Sequence, residues 1–357
     1  FLGSSCLSLS FPSAVYSLLM FLIGQKRNDT TLILSSKRAN FLSFALITGA
    51  VFCLVEAFVL NDFSILYVYG YSSRSLPLFY KLTGLWAGLD GSILFWAWLV
   101  SLFAMLVLRI YRNKDPRELS IINAIMMMVV LFFLMLIFVS NPFASSGHMS
   151  MDGRGLNPLL QNIAMVTHPP TLYIGFTAFT VPFAFVMAAL INRTFDAACV
   201  VQIRAWTIVA WTFVTIGLFL GAGWAYVELG WGGFWAWDPV ENTGLLPWLA
   251  STAYLHSVIV QQRRGLFKTW NVFLIILTFV LTIFGTYITR SGGVQSVHAF
   301  SDSKLGPYFV IFLLAVILLS LLLIMRRRNE LKNNEAAVSL LSKENAFLIN
   351  KVVLIVA

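Results

Sequence analysis

Long apolar runs limit most strongly what this chain can fold into. About 20 apolar residues of helix cross a bilayer. Runs of roughly that order lie near Cys6–Ile23, Phe41–Leu60, Ile93–Ile110, Ile121–Val139, Thr171–Ile191, Trp206–Ala222, Leu245–Val260, Asn271–Ile288 and Tyr308–Ile324. A tenth begins near Ala346. Composition excludes a soluble core as the explanation. Hydrophobic residues make up 59% of the 357 and charged residues 11%, against roughly 45–50% and about 25% in soluble domains. The expectation is an all-α polytopic membrane bundle in contact with lipid, one integral membrane domain over residues 1–357. It has about nine complete spans and a truncated tenth.

The formal charge of +9 does not point to nucleic acid, because the basic residues form no patch or stripe. They cluster between spans. Of the 24 Lys and Arg, 18 fall in one set of alternate loops. Only Arg74, Lys81, Arg154, Arg290 and Lys304 fall in the other. The crowded set is expected on the cytoplasmic side. The segments around 61–92, 140–170, 223–244 and 289–307 are then outside loops, and residues 326–344 a cytoplasmic linker. The chain opens at Phe1 and stops within an apolar run, so it reads as part of a longer protein, its first run a span rather than a cleaved signal. Cys6, Cys53 and Cys199 are isolated, which leaves no CxxC pair for thiol or zinc chemistry.

Four features converge on the outside face. Residues 224–248 read WAYVELGWGGFWAWDPVENTGLLPW, with Trp224, Trp231, Trp235, Trp237 and Trp248 and no Lys or Arg. An interfacial aromatic belt would account for tryptophans scattered over helix ends. Crowded into one loop and spaced by Gly230, Gly232 and Gly233, they suit a flat aromatic ligand better. His168, in MVTHPPTLY, precedes Pro169 and Pro170, which fix the chain after it. His298 lies in SVHAF. Two outside histidines about an aromatic platform suggest bis-His ligation of haem iron, although two unrelated loop histidines remain the plain alternative. Asp238 and Glu241, in WDPVEN, are expected to orient the loop through its own backbone, with acid–base chemistry as the second reading.

His256 falls near mid-membrane in the seventh run, where an ionisable residue marks a functional site by default. It is expected inside the bundle, ligating a metal or bonded to a hydroxyl. His148 reads as a solvated loop residue. Glu56, His256 and the outside acids leave a membrane transporter of haem or ions as the other function class, but the internal repeats and broken helices of transporters are not evident.

The segments GLWAGLDGSILFW (84–96), NPLLQNIAMVTHPPTLYIGF (157–176), WAYVELGWGGFWAWDPVENTGLLPWL (224–249) and RSGGVQSVHAF (290–300) together resemble the CcmF-type cytochrome c haem lyase subunits, within the WWD haem-handling proteins. The likeness covers about Tyr80 to Ala357. It departs in RSGGVQSVH, where an apolar residue more usually follows the first Gly, and at Phe234, often a Trp.

The resemblance implies that the Trp-rich loop holds haem b at the outer face, flanked by His168 and His298 as iron ligands. It implies that His256 is one ligand of a second haem within the membrane, its partner lying on a later helix. It implies a haem lyase in a multi-subunit complex. Such a protein accepts haem from a haem chaperone and works with thiol-handling assembly subunits. Thioether bonds then form on a CxxCH apocytochrome c. The expected location is the bacterial cytoplasmic membrane, loop outward, in preference to the mitochondrial inner membrane.

Overall fold

A computed structural model describes residues 1–147, 150–294, 296, 298–300, 303–331, 349 and 353. His148, the run from Ala346 and most of the linker lie outside these. The described residues form an all-helical polytopic membrane protein: α1 (Leu2–Arg27), α2 (Thr30–Leu60), α3 (Leu66–Tyr71), α4 (Leu78–Ala87), α5 (Leu89–Ile110), α6 (Pro116–Ser140), α7 (Ile163–Ala178), α8 (Thr180–Asn192), α9 (Ala197–Glu228), α10 (Pro239–Arg264), α11 (Lys268–Arg290) and α12 (Gly306–Arg327).

Eight stretches are long and apolar enough to cross a membrane, α7 and α8 together counting as one of 30 residues. The ninth expected span is α10. At 26 residues it has the length, but Asn242 and Thr243 near its start and Gln261 to Arg264 at its end dilute its apolar character.

Helix ends follow the local chemistry. Asp29 accepts from the Thr31 and Leu32 amides to start α2, and Asp196 from the Cys199 amide to start α9. Asn28, Asn61 and Asn141 adopt left-handed conformations and end α1, α2 and α6, a role Asn tolerates.

In lipid, helices associate by packing and interhelical hydrogen bonds rather than by hydrophobic burial. The α1–α2 seam shows both. Small residues Ser10, Ala14 and Ser17 face Ser36, Ala39 and Ser43 and are buried. Ser17 Oγ donates to the Ser36 carbonyl at 2.9 Å and Ser13 Oγ to the Ala39 carbonyl at 2.9 Å. Deeper in the bundle, α5, α6 and α8 are buried nearly all round. Aromatic pairs tie α6 to α12 and α8 to α11: Phe132 stacks on Phe312 at 3.9 Å and Phe183 on Phe279 at 4.0 Å.

Two of the segments expected outside differ from a plain loop. The 61–92 segment folds into α3 and α4, tied to the next outside segment where the Leu66 amide donates to the Ala144 carbonyl at 2.8 Å. The Trp-rich loop is shorter than 224–248, because α9 runs to Glu228 and α10 starts at Pro239. Trp224 and Trp248 are therefore helical.

Candidate functional site

At the end of the bundle that gathers these segments, α7, α9, α10 and α11 leave a cavity of about 390 Å³, within the range of small-molecule sites, roughly 300–1,000 Å³. His168, His298, Trp224, Trp235, Glu241 and Arg290 are among its lining.

His168 belongs to α7, not to a loop. Pro169 and Pro170 sit inside that helix. A helical proline leaves the carbonyl four residues back without its amide, and for Pro169 this is Met165. The Trp86 indole donates to that oxygen at 3.3 Å. Membrane helices tolerate proline where a neighbour supplies such a donor.

The position of His168 depends on α9. Gly217 and Gly221 are four apart, the small-residue spacing that lets two helices approach closely. A Cβ at Gly217 would stand 2.6 Å from the Leu172 side chain, and one at Gly221 would stand 2.4 Å from His168 Cε1. With no side chains there, His168 Nδ1 reaches the Gly217 carbonyl at 2.7 Å. A carbonyl only accepts, so Nδ1 carries the proton. No hydrogen bond engages Nε2 among the described residues.

His298 is held the same way from the other wall. Its Nδ1 donates to Asp238 Oδ2 at 3.2 Å, and its ring packs edge-on against Trp224 at 5.4 Å. Asp238 also accepts from Ser296 Oγ at 2.7 Å and from the Val240 amide at 3.1 Å. Glu241 Oε2 accepts from the Ala236 amide at 2.9 Å and the Asp238 amide at 3.3 Å. Together these form a capping box on α10. The two acids thus bond the loop's own backbone. Asp238 does more than that reading supposed, since one oxygen caps the helix and orients His298.

The tryptophans divide. Trp224 and Trp235 line the cavity, and the enclosed Trp235 Nε1 has no acceptor among the described residues. Trp231 and Trp237 do not line it, and Trp237 is 68% exposed. Trp237 takes a left-handed conformation at φ 59°, rare for a bulky residue. Asn242 Nδ2 bonds its carbonyl at 3.2 Å and Glu241 bonds both flanking amides. Of the five tryptophans expected to form the platform, only Trp224 and Trp235 line the cavity. Trp248 lies deeper, its indole donating to Thr215 Oγ1 at 2.8 Å.

His256 departs from expectation. It is exposed on the outward face of α10. Ala253, Tyr254, Ser257, Val258 and Gln261 carry the buried face, so helical periodicity turns residue 256 away from it. Neither of its ring nitrogens bonds a described residue.

Sequence reasoning missed Arg290, counted only as one of the few outside basic residues. It is 2% exposed. Its Nη2 donates to Ser92 Oγ at 3.0 Å and Tyr173 Oη at 3.1 Å. Its guanidinium carbon lies 5.5 Å from the Trp96 ring centroid and 5.3 Å from that of Phe300. A lone cation closing an apolar span was the available signal. The Gly217–Gly221 spacing was the signal for the seat of His168.

Each imidazole therefore presents a free Nε2 while its Nδ1 proton is held by an oxygen acceptor. That is how ligating histidines are oriented.

The chain is 42% identical over 355 residues to the cytochrome c-type biogenesis protein CcmF of Pseudomonas aeruginosa, covering 99% of this chain and 54% of the relative. It is 40% identical over 360 residues to CcmF of Escherichia coli, covering 100% and 55%. Among solved structures it resembles the cytochrome c heme lyase CcmF, with a TM-score of 0.80 at 32% identity, covering 99% of this chain and 54% of that one. The chain thus spans about half the length of the relatives it matches. The family model described as "Cytochrome C assembly protein" matches residues 86–295. That stretch takes in α5 to α11 and most of the cavity wall, so this chain belongs to the cytochrome c assembly protein family.

Proposed function

We propose that this chain forms the outer haem site of a cytochrome c haem lyase, with His168 and His298 as the two axial ligands. The observation that carries the reading is the pair of imidazoles on one cavity, each with Nδ1–H bonded to an oxygen and Nε2 free. The cavity's chemistry fits the group. It is largely apolar and aromatic, and Trp235 Nε1 is an enclosed donor awaiting an acceptor. The names of the relatives, cytochrome c-type biogenesis protein and cytochrome c heme lyase, point the same way, whereas no observation favours a transporter.

The residues act by positioning, which can supply much of the barrier lowering in such a reaction. Trp224 and Trp235 would pack against the bound ring system. His168 and His298 would hold its iron, and their acceptors keep each ring in one tautomer. Glu241 and Asp238 fix the loop that closes the cavity. Bound haem would supply vinyl groups to which two apocytochrome thiols add, sulfur to one vinyl carbon and hydrogen to the other. The thiols would come from a CxxCH apocytochrome c kept reduced by thiol-handling assembly subunits, and the haem from a haem chaperone. The His298 side, carried on the short segment between α11 and α12, is the ligand we expect to yield to the apocytochrome histidine. The site would open on the periplasmic side of a bacterial inner membrane, a placement that the distribution of basic residues supports. A second haem through His256 would need its other ligand from outside the described residues, consistent with the outward position of that residue.

The test is optical. Purified protein should show a low-spin bis-imidazole haem spectrum. His168→Ala and His298→Ala should each lose it while helix content stays constant. A single-variant spectrum identical to wild type would remove that histidine from the ligand set.

A further inference from the structure

Arg290 presents a physical problem that its neighbours leave unsolved. Charged side chains are almost never fully buried unless paired, yet this guanidinium has no carboxylate within ion-pair distance among the described residues. Arginine carries five N–H donors and no acceptor. Nη2 uses its two on Ser92 and Tyr173. Nε is enclosed, and no described residue bonds it or Nη1. Trp96, Tyr173 and Phe300 surround the cation at 5.3–5.6 Å. They attract it through their faces without accepting those protons.

The acids on the same wall are committed elsewhere. Glu241 Oε2 holds the Ala236 and Asp238 amides, and Asp238 Oδ2 holds His298, Ser296 and Val240. The missing counter-charge therefore has to arrive with whatever fills the cavity that Arg290 lines.

We propose that Arg290 is the carboxylate-binding residue of this cavity. It receives an acidic side arm of the occupant through its free donors and fixes which way round a planar ligand sits. The inference rests on the haem reading of the site, where the carboxylate is a haem propionate. Two imidazoles can hold an iron centre while leaving rotation about their axis open. A buried cation off that axis sets the rotation, and with it which edge of the ring faces the thiols. Arginine suits the role because it stays charged and forms directed bonds to carboxylates.

The experiment titrates full-length protein in detergent with protohaem and, separately, with its dimethyl ester, whose propionates are masked, reading the Soret band. Wild type should bind the free acid about 10-fold more tightly than the ester, the scale of one charge-assisted hydrogen bond. Arg290→Gln should bind the acid about 10-fold more weakly and show no preference between the two. Arg290→Lys should keep part of the preference. Binding of both forms to wild type with equal affinity and a bis-imidazole spectrum overturns the Arg290 assignment and leaves the haem site standing. So does a full acid preference retained in Arg290→Gln. Failure of wild type to bind either form overturns the haem reading and this inference together. Because the wild-type comparison needs no substitution, a misfolded variant does not protect the proposal.

Discussion

The cavity end of the bundle and the outward face of α10 both carry histidine, and they are built in opposite ways. At the cavity, His168 and His298 each sit against a fixed oxygen, a helix carbonyl in one case and a capping carboxylate in the other. On α10, His256 is exposed and bonds no described residue. Depth in the membrane suggested His256 as the more unusual residue. An oxygen acceptor on one ring nitrogen separates the two oriented imidazoles of the cavity from His256.

The comparison is broken most severely through α9. Gly221→Ala places a Cβ against the His168 ring. It should cost about 1–3 kcal/mol of stability by overpacking and remove most of the haem absorbance of purified protein. Gly230→Ala, with nothing within 4 Å of the added carbon, should change neither thermal stability nor absorbance. If Gly221→Ala purified with full haem, the close seat of His168 would not matter.

Asp238→Asn comes next. Asparagine caps helices as well as aspartate, so α10 should remain formed. His298 would lose its carboxylate partner, and haem affinity should fall about 10- to 100-fold, the usual range for such outer partners. A haem titration reads this directly. An unchanged affinity would reduce Asp238 to a helix cap.

The tryptophans sharpen the contrast within one segment. Trp235→Ala should weaken haem binding about 2- to 10-fold, as expected for one lost aromatic contact. Trp237→Ala, on the exposed side, should leave binding unchanged. The reverse order in side-by-side titrations would restore the outward ring to the site. His256→Ala is the smallest change. At the outer site it should leave the spectrum and haem affinity as they are, and stability within about 0.5 kcal/mol.

Much of the architecture was legible because span length and charge placement are one-dimensional signals. They located the eight apolar spans, whereas α10 forms where a ninth was expected but is less apolar than those eight. They fail where the chain reverses by tertiary contact. His168 looked like a loop residue because two prolines follow it. Yet the Trp86 indole supplies a donor for the Met165 carbonyl, and the helix continues through both. The Trp-rich segment was legible as a cluster but not in its facing. Its inward and outward rings are sorted by the left-handed turn at Trp237 and by the Glu241 bonds around it. The pairing of Asp238 with His298 joins residues 60 apart, and the burial of Arg290 depends on partners on α5 and α7. No local pattern carries either.

The most direct test of the central claim is the visible spectrum of purified full-length protein beside that of the double variant His168→Ala with His298→Ala. Wild type should show a low-spin bis-imidazole Soret signal from the outer site, the double variant should lose it, and helix content should be unchanged in both. An outer-site signal of equal intensity in the double variant would contradict it, and the cavity would then owe its shape to something other than axial ligation of haem.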